Sequence, residues 1–351
     1  MSVLYAEVPG FYAEVERVAD PALRGRIVLV GGDPRKSGTV QSATREALER
    51  GVVPGMPILE ALEHCPGAKL LRTDMRRYRE TAARLRTALR RFVDRLEPAG
   101  LGAAYLDSLA AARPPEELAQ DLCKRVDEEL GLPLRVGISE AKFLARLAAE
   151  EAGERVLRIP TGEEARFLAP LGVERLPGVG PATAASLAEL GATRVGELAR
   201  LERAHVESRL GSHGHTIWEL AHGRDHSPVR PSAHPKSLSQ ESSFPAEELD
   251  SAAILARLQD LAEGLSGALA REELRARRVT LKLRYADQER ISRSRTVETA
   301  LGSAAEIHGL AASLLERTQA GSRPVRGVGI VLARLTPERR EDQQLDLFGG
   351  R

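Results

Sequence analysis

Only two cysteines, Cys65 and Cys123, occur in 351 residues. Two thiols are too few for a disulfide framework, and their separation is not a metal-ligand spacing, so they read as buried thiols in a reducing compartment. Aromatic residues make up 3% of the chain. No apolar run approaches the roughly 20 residues of a membrane span. The first residues, Met1 to Glu7, lack the basic stretch and apolar core of a secretion signal. Net charge is almost absent too: 51 basic residues face 50 acidic ones. Bulk charge therefore names no partner, and any nucleic-acid footprint has to come from local clustering. What remains is a composition 42% hydrophobic and 29% charged, that of a cytoplasmic multidomain protein without a membrane role.

Periodicity organises the first part of the chain as strands interleaved with helices. Strands are expected at 2–8, 27–30 and 134–138, with a strand pair at 100–109. Helices are expected at 11–17, 43–50, 76–95, 116–130 and 141–152. Residues 51–57 hold two prolines and two glycines and must form a loop. From 162 to 222 the pattern gives short helices only. At their centre Leu176-Pro177-Gly178-Val179-Gly180-Pro181 precedes a helix at 182–190. Such a helix-hairpin-helix turn exposes backbone N–H groups at a helix start and binds a phosphate without reading sequence. An ordinary Gly-Pro turn is the alternative.

Residues 224–236 are proline-rich with little apolar content and read as a linker. Beyond them the order strand (237–244), helix (251–271), strand (277–285), strand (290–297), helix (303–318), strand (325–335) makes a βαββαβ module. Arg278, Lys282 and Arg284 alternate on one strand, and Arg293 and Arg295 on the next are expected to project beside them, an array suited to a DNA backbone. Acidic neighbours such as Asp287 and Glu289 leave a plain solvated face as the competing reading.

These pieces, in this order, resemble the Y-family translesion DNA polymerases over essentially the whole chain. The resemblance rests on Val3-Leu4-Tyr5-Ala6-Glu7 with Phe11-Tyr12-Ala13-Glu14-Val15-Glu16, and on 51–57 with Glu60-Ala61. Tyr105-Leu106-Asp107, and Val136-Gly137-Ile138-Ser139 with Lys142 and Ala145, continue it. It implies a multidomain α+β right hand. Palm would be 1–10 and 74–160, fingers 11–73, and the helix-hairpin-helix thumb 161–223. The linker would be 224–236, the βαββαβ little finger 237–336, and a tail 337–351. The tail sequence Gln344-Leu345-Asp346-Leu347-Phe348 resembles the bacterial sliding-clamp-binding peptide, with leucines and phenylalanine for apolar pockets and Gln344 as polar anchor.

The departures from the family pattern bear on activity. Polymerases of this kind hold two magnesium ions about 4 Å apart with clustered carboxylates. The family's first Asp corresponds to Glu7, and its Asp-Glu pair to Gly102 and Ala103. Glu7 is thus the single candidate metal ligand, and Asp107 follows the pair without being a family ligand. The family's triphosphate-gripping Tyr and Arg correspond to Arg45 and Leu48, and the Lys after the palm helix falls near Gly153. Pro9 stands where an acid or amide is usual. Phe11 and Tyr12 persist; Tyr12 matches the steric gate against ribonucleotides, with simple core packing as its alternative. The expectation is a DNA-binding translesion factor without polymerase activity, recruited by the sliding clamp and acting beside another polymerase, needing no cofactor. A weakly active polymerase using Mg²⁺, and a protein-bridging scaffold that no longer binds DNA, are the rival readings.

Overall fold

The computed structural model describes residues 2–36, 38–108, 113–153, 155–231 and 237–337. The chain divides into two compact units, residues 1–232 and 233–351. The first opens with β1 (Val3–Glu7), α1 (Phe11–Ala19), β2 (Val28–Gly31), β3 (Val40–Ala43), α2 (Arg45–Leu48), α3 (Ile58–His64) and β4 (Lys69–Arg72). It continues through α4 (Met75–Arg90), β5 (Leu96–Pro98), β6 (Ala103–Asp107), α5 (Pro115–Leu130), β7 (Arg135–Ser139), α6 (Lys142–Glu151) and β8 (Val156–Arg158). Short helices complete it: α7 (Glu164–Leu168), α8 (Pro181–Glu189), α9 (Val195–Leu198), α10 (Arg203–Leu210) and α11 (Ser212–Ala221).

A five-stranded sheet, ordered β5-β6-β1-β7-β8, centres the first unit. β1 runs antiparallel to both neighbours and is buried on both faces. Strand alternation sends Leu4 and Ala6 into a core shared with α1, α4 and α5. Val3 and Tyr5 face the other way, against Ala145 and Ala149 of α6. A smaller sheet, β3-β2-β4, packs Leu29, Val40 and Ala43 against Ile58, Ala61 and Cys65. The helices α7 to α11 close around Leu168, Leu176, Leu187, Val195 and Ile217.

Several boundaries differ from the sequence reading. The helix expected at 76–95 stops at Arg90, because Val93 turns into the core and Leu96 begins β5. The pair at 100–109 is the hairpin β5–β6, with Ala99 N–H donating to the Ala103 carbonyl, so Gly100, Leu101 and Gly102 form its turn. The helix expected at 43–50 is only α2, preceded by β3. β3, β4 and β8 have three or four residues each, too few for alternation to declare itself. The stretch 224–231 is also more than a spacer: Val229 is fully buried against Val3, Tyr5, Ala145 and Ala149. Around it, Arg230 N–H donates to Glu97 (2.7 Å) and Lys142 Nζ reaches Glu97 (2.8 Å) and the Pro228 carbonyl (3.4 Å).

The second unit is β9 (Ser237–Glu248), α12 (Ser251–Arg271), β10 (Leu274–Tyr285), β11 (Arg290–Leu301), α13 (Ala304–Leu315) and β12 (Val325–Pro337). Its sheet is ordered β11-β10-β12-β9, every pair antiparallel, with both helices on one face. Asp250 caps α12, and Ser303 with Glu306 forms a capping box on α13. The core joins Ile254, Leu258 and Leu265 to Val279, Leu281 and Ile330.

Candidate functional site

Glu7 ends β1 and lies across from Ala103 on one side and Arg135 on the other. The Val8 N–H donates to the Gly102 carbonyl (2.9 Å), which brings the hairpin turn beside it. A Cβ on Gly102 would sit 2.5 Å from Cγ of Phe11, so the Phe11 ring occupies the space a side chain there would need. Gly10 has φ 65°, and a Cβ there would meet the Ala43 carbonyl at 2.1 Å. Glycine is what permits this close approach of α1 to β3. The result is a cleft of about 300 Å³ lined by Glu7, Gly10, Phe11, Tyr12, Gln41, Ser42, Leu48, Gly102 and Ala103, among others.

Burial raises the Glu7 carboxyl from its ordinary 4.5 to about 7; nearby Glu150 adds to the rise, and Arg135 and Arg146 oppose it. Glu150 is committed elsewhere, bonded to Arg146 (2.7 Å) and Arg175 (3.0 Å). Asp107 pairs with Val3, four strand residues from Glu7, or about 13 Å along the strand. Glu7 and Asp107 therefore cannot share one ion. Among the described residues no three His, Cys, Asp or Glu side chains gather to hold a metal. The family's magnesium does not fit the residues present.

The other expected pocket residues separate. Tyr12 lines the cleft and also stacks on buried Tyr78 (4.4 Å, 6°), whose hydroxyl donates to Glu16 (2.8 Å). Tyr12 is thus both wall and packing. Arg45 is turned to Glu49 (2.6 Å) and does not line the cleft, whereas Leu48 does. Sequence reasoning missed Gly10 and the surrounding charges Arg135, Arg146 and Glu150. A glycine beside a helix start was the available signal for the first; the charges come from strands and helices that only the fold brings together.

At α8, Gly178 takes φ 84°, its carbonyl 3.1 Å from His213 Nε2. Val179 is buried, and Gly178 and Gly180 are exposed ahead of the helix start. In the second unit, Arg278, Lys282 and Arg284 share the open face of the sheet with Arg290. Arg278 bonds Thr296 (3.1 Å), Lys282 pairs with Glu241 (2.8 Å) and Arg284 bonds Ser243 (3.0 Å). Gly327 and Gly329 leave a shallow cleft of about 370 Å³ between these rows. Arg293 and Arg295 do not join them. They pair with Leu281 and Val279, which point into the helix-covered core, so both arginines project to the opposite side of edge strand β11. The clamp-like sequence 344–348 lies outside the described residues.

The impB/mucB/samB family pattern matches residues 7–150, and the pattern of that family's C-terminal domain matches 235–347. DNA polymerase IV of Halorhodospira halophila is 39% identical over 350 residues, covering 99% of this chain and 98% of the relative.

The chain belongs to the Y-family of DNA polymerases.

A second Y-family relative, DNA polymerase IV of Alkalilimnicola ehrlichii, is 35% identical over 353 residues and 99% of each chain. A Dbh–Dpo4 chimera of Y-family polymerases superposes with a TM-score of 0.83 at 25% identity, covering 96% of this chain and all of that one. The insertion ternary complex of Dbh DNA polymerase gives 0.73 at 24% identity, 96% of this chain and 100% of that one, a likeness of fold alone. Among the described residues no helix is long and apolar enough to cross a membrane.

Proposed function

We propose that this Y-family homologue binds primer-template DNA without extending it and serves as an accessory factor at lesions, brought there by the sliding clamp. The observation that carries the reading is the Glu7 environment. One carboxylate, raised to about 7, stands opposite Ala103 and beside Gly102, whose side-chain space the Phe11 ring fills. Removing one charge-stabilising group from a catalytic centre costs about a hundred- to thousandfold, and two ligand positions are vacated here. The open sheet face with Arg278, Lys282, Arg284 and Arg290, and the exposed turn at Gly178 and Gly180, supply phosphate contacts that need no sequence. The sequence 344–348 supports the clamp.

A weakly active polymerase is the second reading, favoured by 39% identity to a curated polymerase along nearly its full length and by Tyr12 in the cleft wall. Titrating a matched deoxynucleoside triphosphate with Mg²⁺ into the chain bound to a dideoxy-terminated primer-template separates the two. The first reading expects no saturable nucleotide binding. Saturation in the micromolar range would favour the second, and extension of an unblocked primer by the same chain would establish it.

A further inference from the structure

Helix α4 carries six arginines against one acid, Glu80. Tyr78, Ala82, Leu85, Ala88 and Leu89 take its inward side. At 3.6 residues per turn, Arg76, Arg79, Arg86 and Arg90 fall within about 80° of one another on the outward side and extend for about 21 Å. Arg77 is held by Glu16 and Asp74, and Arg76 makes only a loose 3.8 Å contact with Glu80. Arg79, Arg86 and Arg90 have no hydrogen bond or ion pair among the described residues. Burial and the like charge of Arg90, one turn away, both lower the pKa of Arg86. A row of like charges repels itself and destabilises the free chain, a cost that a bound polyanion offsets.

The row does not belong to the cleft. α4 covers the sheet face into which Leu4 and Ala6 point, whereas β1 alternation puts Glu7 with Val3 and Tyr5 on the other face.

We infer that Arg79, Arg86 and Arg90, with Arg76 at the end of the row, form a second nucleic-acid-binding surface that takes the phosphate backbone of DNA. The inference rests on the DNA-binding reading above but concerns a different face. Two features favour a nucleic acid over an acidic protein segment. The basic residues are all arginines, whose planar forks suit phosphate oxygens. Between them stand only Ala83 and Thr87, so the apolar or aromatic anchor on which protein interfaces centre is missing. The same lack of aromatics rules out base stacking and makes the contact sequence-independent.

The test uses the full chain, a fluorescein-labelled blunt duplex and anisotropy titrations from 50 to 200 mM salt. Each duplex phosphate contact contributes about 0.9 to the slope of log affinity against log salt. In a chain already carrying Arg278→Ala, Lys282→Ala and Arg284→Ala, combining Arg79→Ala, Arg86→Ala and Arg90→Ala should lower that slope by about 2.7. Over this range the salt-dependent loss of affinity should then shrink roughly 40-fold. A photo-cross-linker placed at Ala83 should capture the duplex, and should still do so in a chain carrying Arg278→Ala, Lys282→Ala and Arg284→Ala. An unchanged slope, or no capture at position 83 while the wild type binds DNA, overturns the second surface and leaves the DNA-binding reading standing. Polyglutamate displacing the duplex from position 83 at lower charge concentration than unlabelled DNA also overturns it, in favour of an acidic protein partner. A wild-type chain that binds no duplex defeats both readings.

Discussion

Replacing Glu7 by glutamine should stabilise the protein at alkaline pH and leave it unchanged in acid. The carboxyl is raised from 4.5 to about 7 by burial and by Glu150, so the folded chain holds its proton more tightly than the unfolded one. Stability is therefore lost as pH rises through that window, because deprotonation is harder in the folded state. At about 1.36 kcal/mol per pH unit the gap amounts to about 3 kcal/mol above pH 8, which solvent around the partly exposed carboxylate reduces to about 1–3 kcal/mol. Glutamine keeps the shape and removes the titration. Urea unfolding followed by the single tryptophan, Trp218 in the first unit, reads the difference. The Glu7→Gln curve should coincide with wild type at pH 4.5 and shift to higher urea at pH 8, and 10 mM Mg²⁺ (about that concentration) should move neither. Equal stability at pH 8 would mean that folding does not raise the Glu7 carboxyl, and magnesium stabilising wild type but not the variant would mean a metal-holding carboxylate; either result refutes the reasoning.

Other substitutions probe the rest of the account. Gly102→Asp should destabilise by about 1–3 kcal/mol in thermal unfolding, because its Cβ would sit 2.5 Å from the Phe11 ring, and it should not by itself create polymerase activity. Charge reversal at Arg278 and Arg284 should weaken duplex binding at least tenfold in an anisotropy assay. The same reversal at Arg293 and Arg295, on the opposite side of the sheet, should weaken it less. Glu97→Ala should speed amide exchange at Arg230 at least tenfold by NMR, since Glu97 accepts that N–H. Gln344→Ala with Phe348→Ala should lower sliding-clamp affinity at least tenfold by surface plasmon resonance; unchanged affinity removes the recruitment part of the proposal.

Much of this architecture was legible in the sequence. The βαββαβ order of the second unit emerged from alternation in long strands, and the positions of Glu7, Gly102 and Ala103 from motif order; the structure sets Glu7 opposite Ala103. Where the reading failed, the cause is physical. Arg293 and Arg295 lie on the face opposite to the expected one because residue parity between neighbouring strands depends on register, and the turn at 286–289 sets it, pairing them with the core-facing Leu281 and Val279. Val229 sits in a proline-rich stretch with no periodicity, so its complete burial depends on a slot that β1 and α6 build. Phe11 reads from the motif as a residue of the nucleotide pocket; that its ring fills the space above Gly102 is a matter of three-dimensional packing. The α4 arginines read as one amphipathic helix, and only the side-chain partners show which of them are left over.

The most direct test is primer extension on an undamaged template with all four deoxynucleotides, in Mg²⁺ and separately in Mn²⁺, beside a DNA-binding titration on the same sample. Binding without extension is the expected result in either metal. Extension that disappears in Glu7→Ala would contradict it, because the cleft would then hold a working metal site where no three His, Cys, Asp or Glu side chains gather among the described residues.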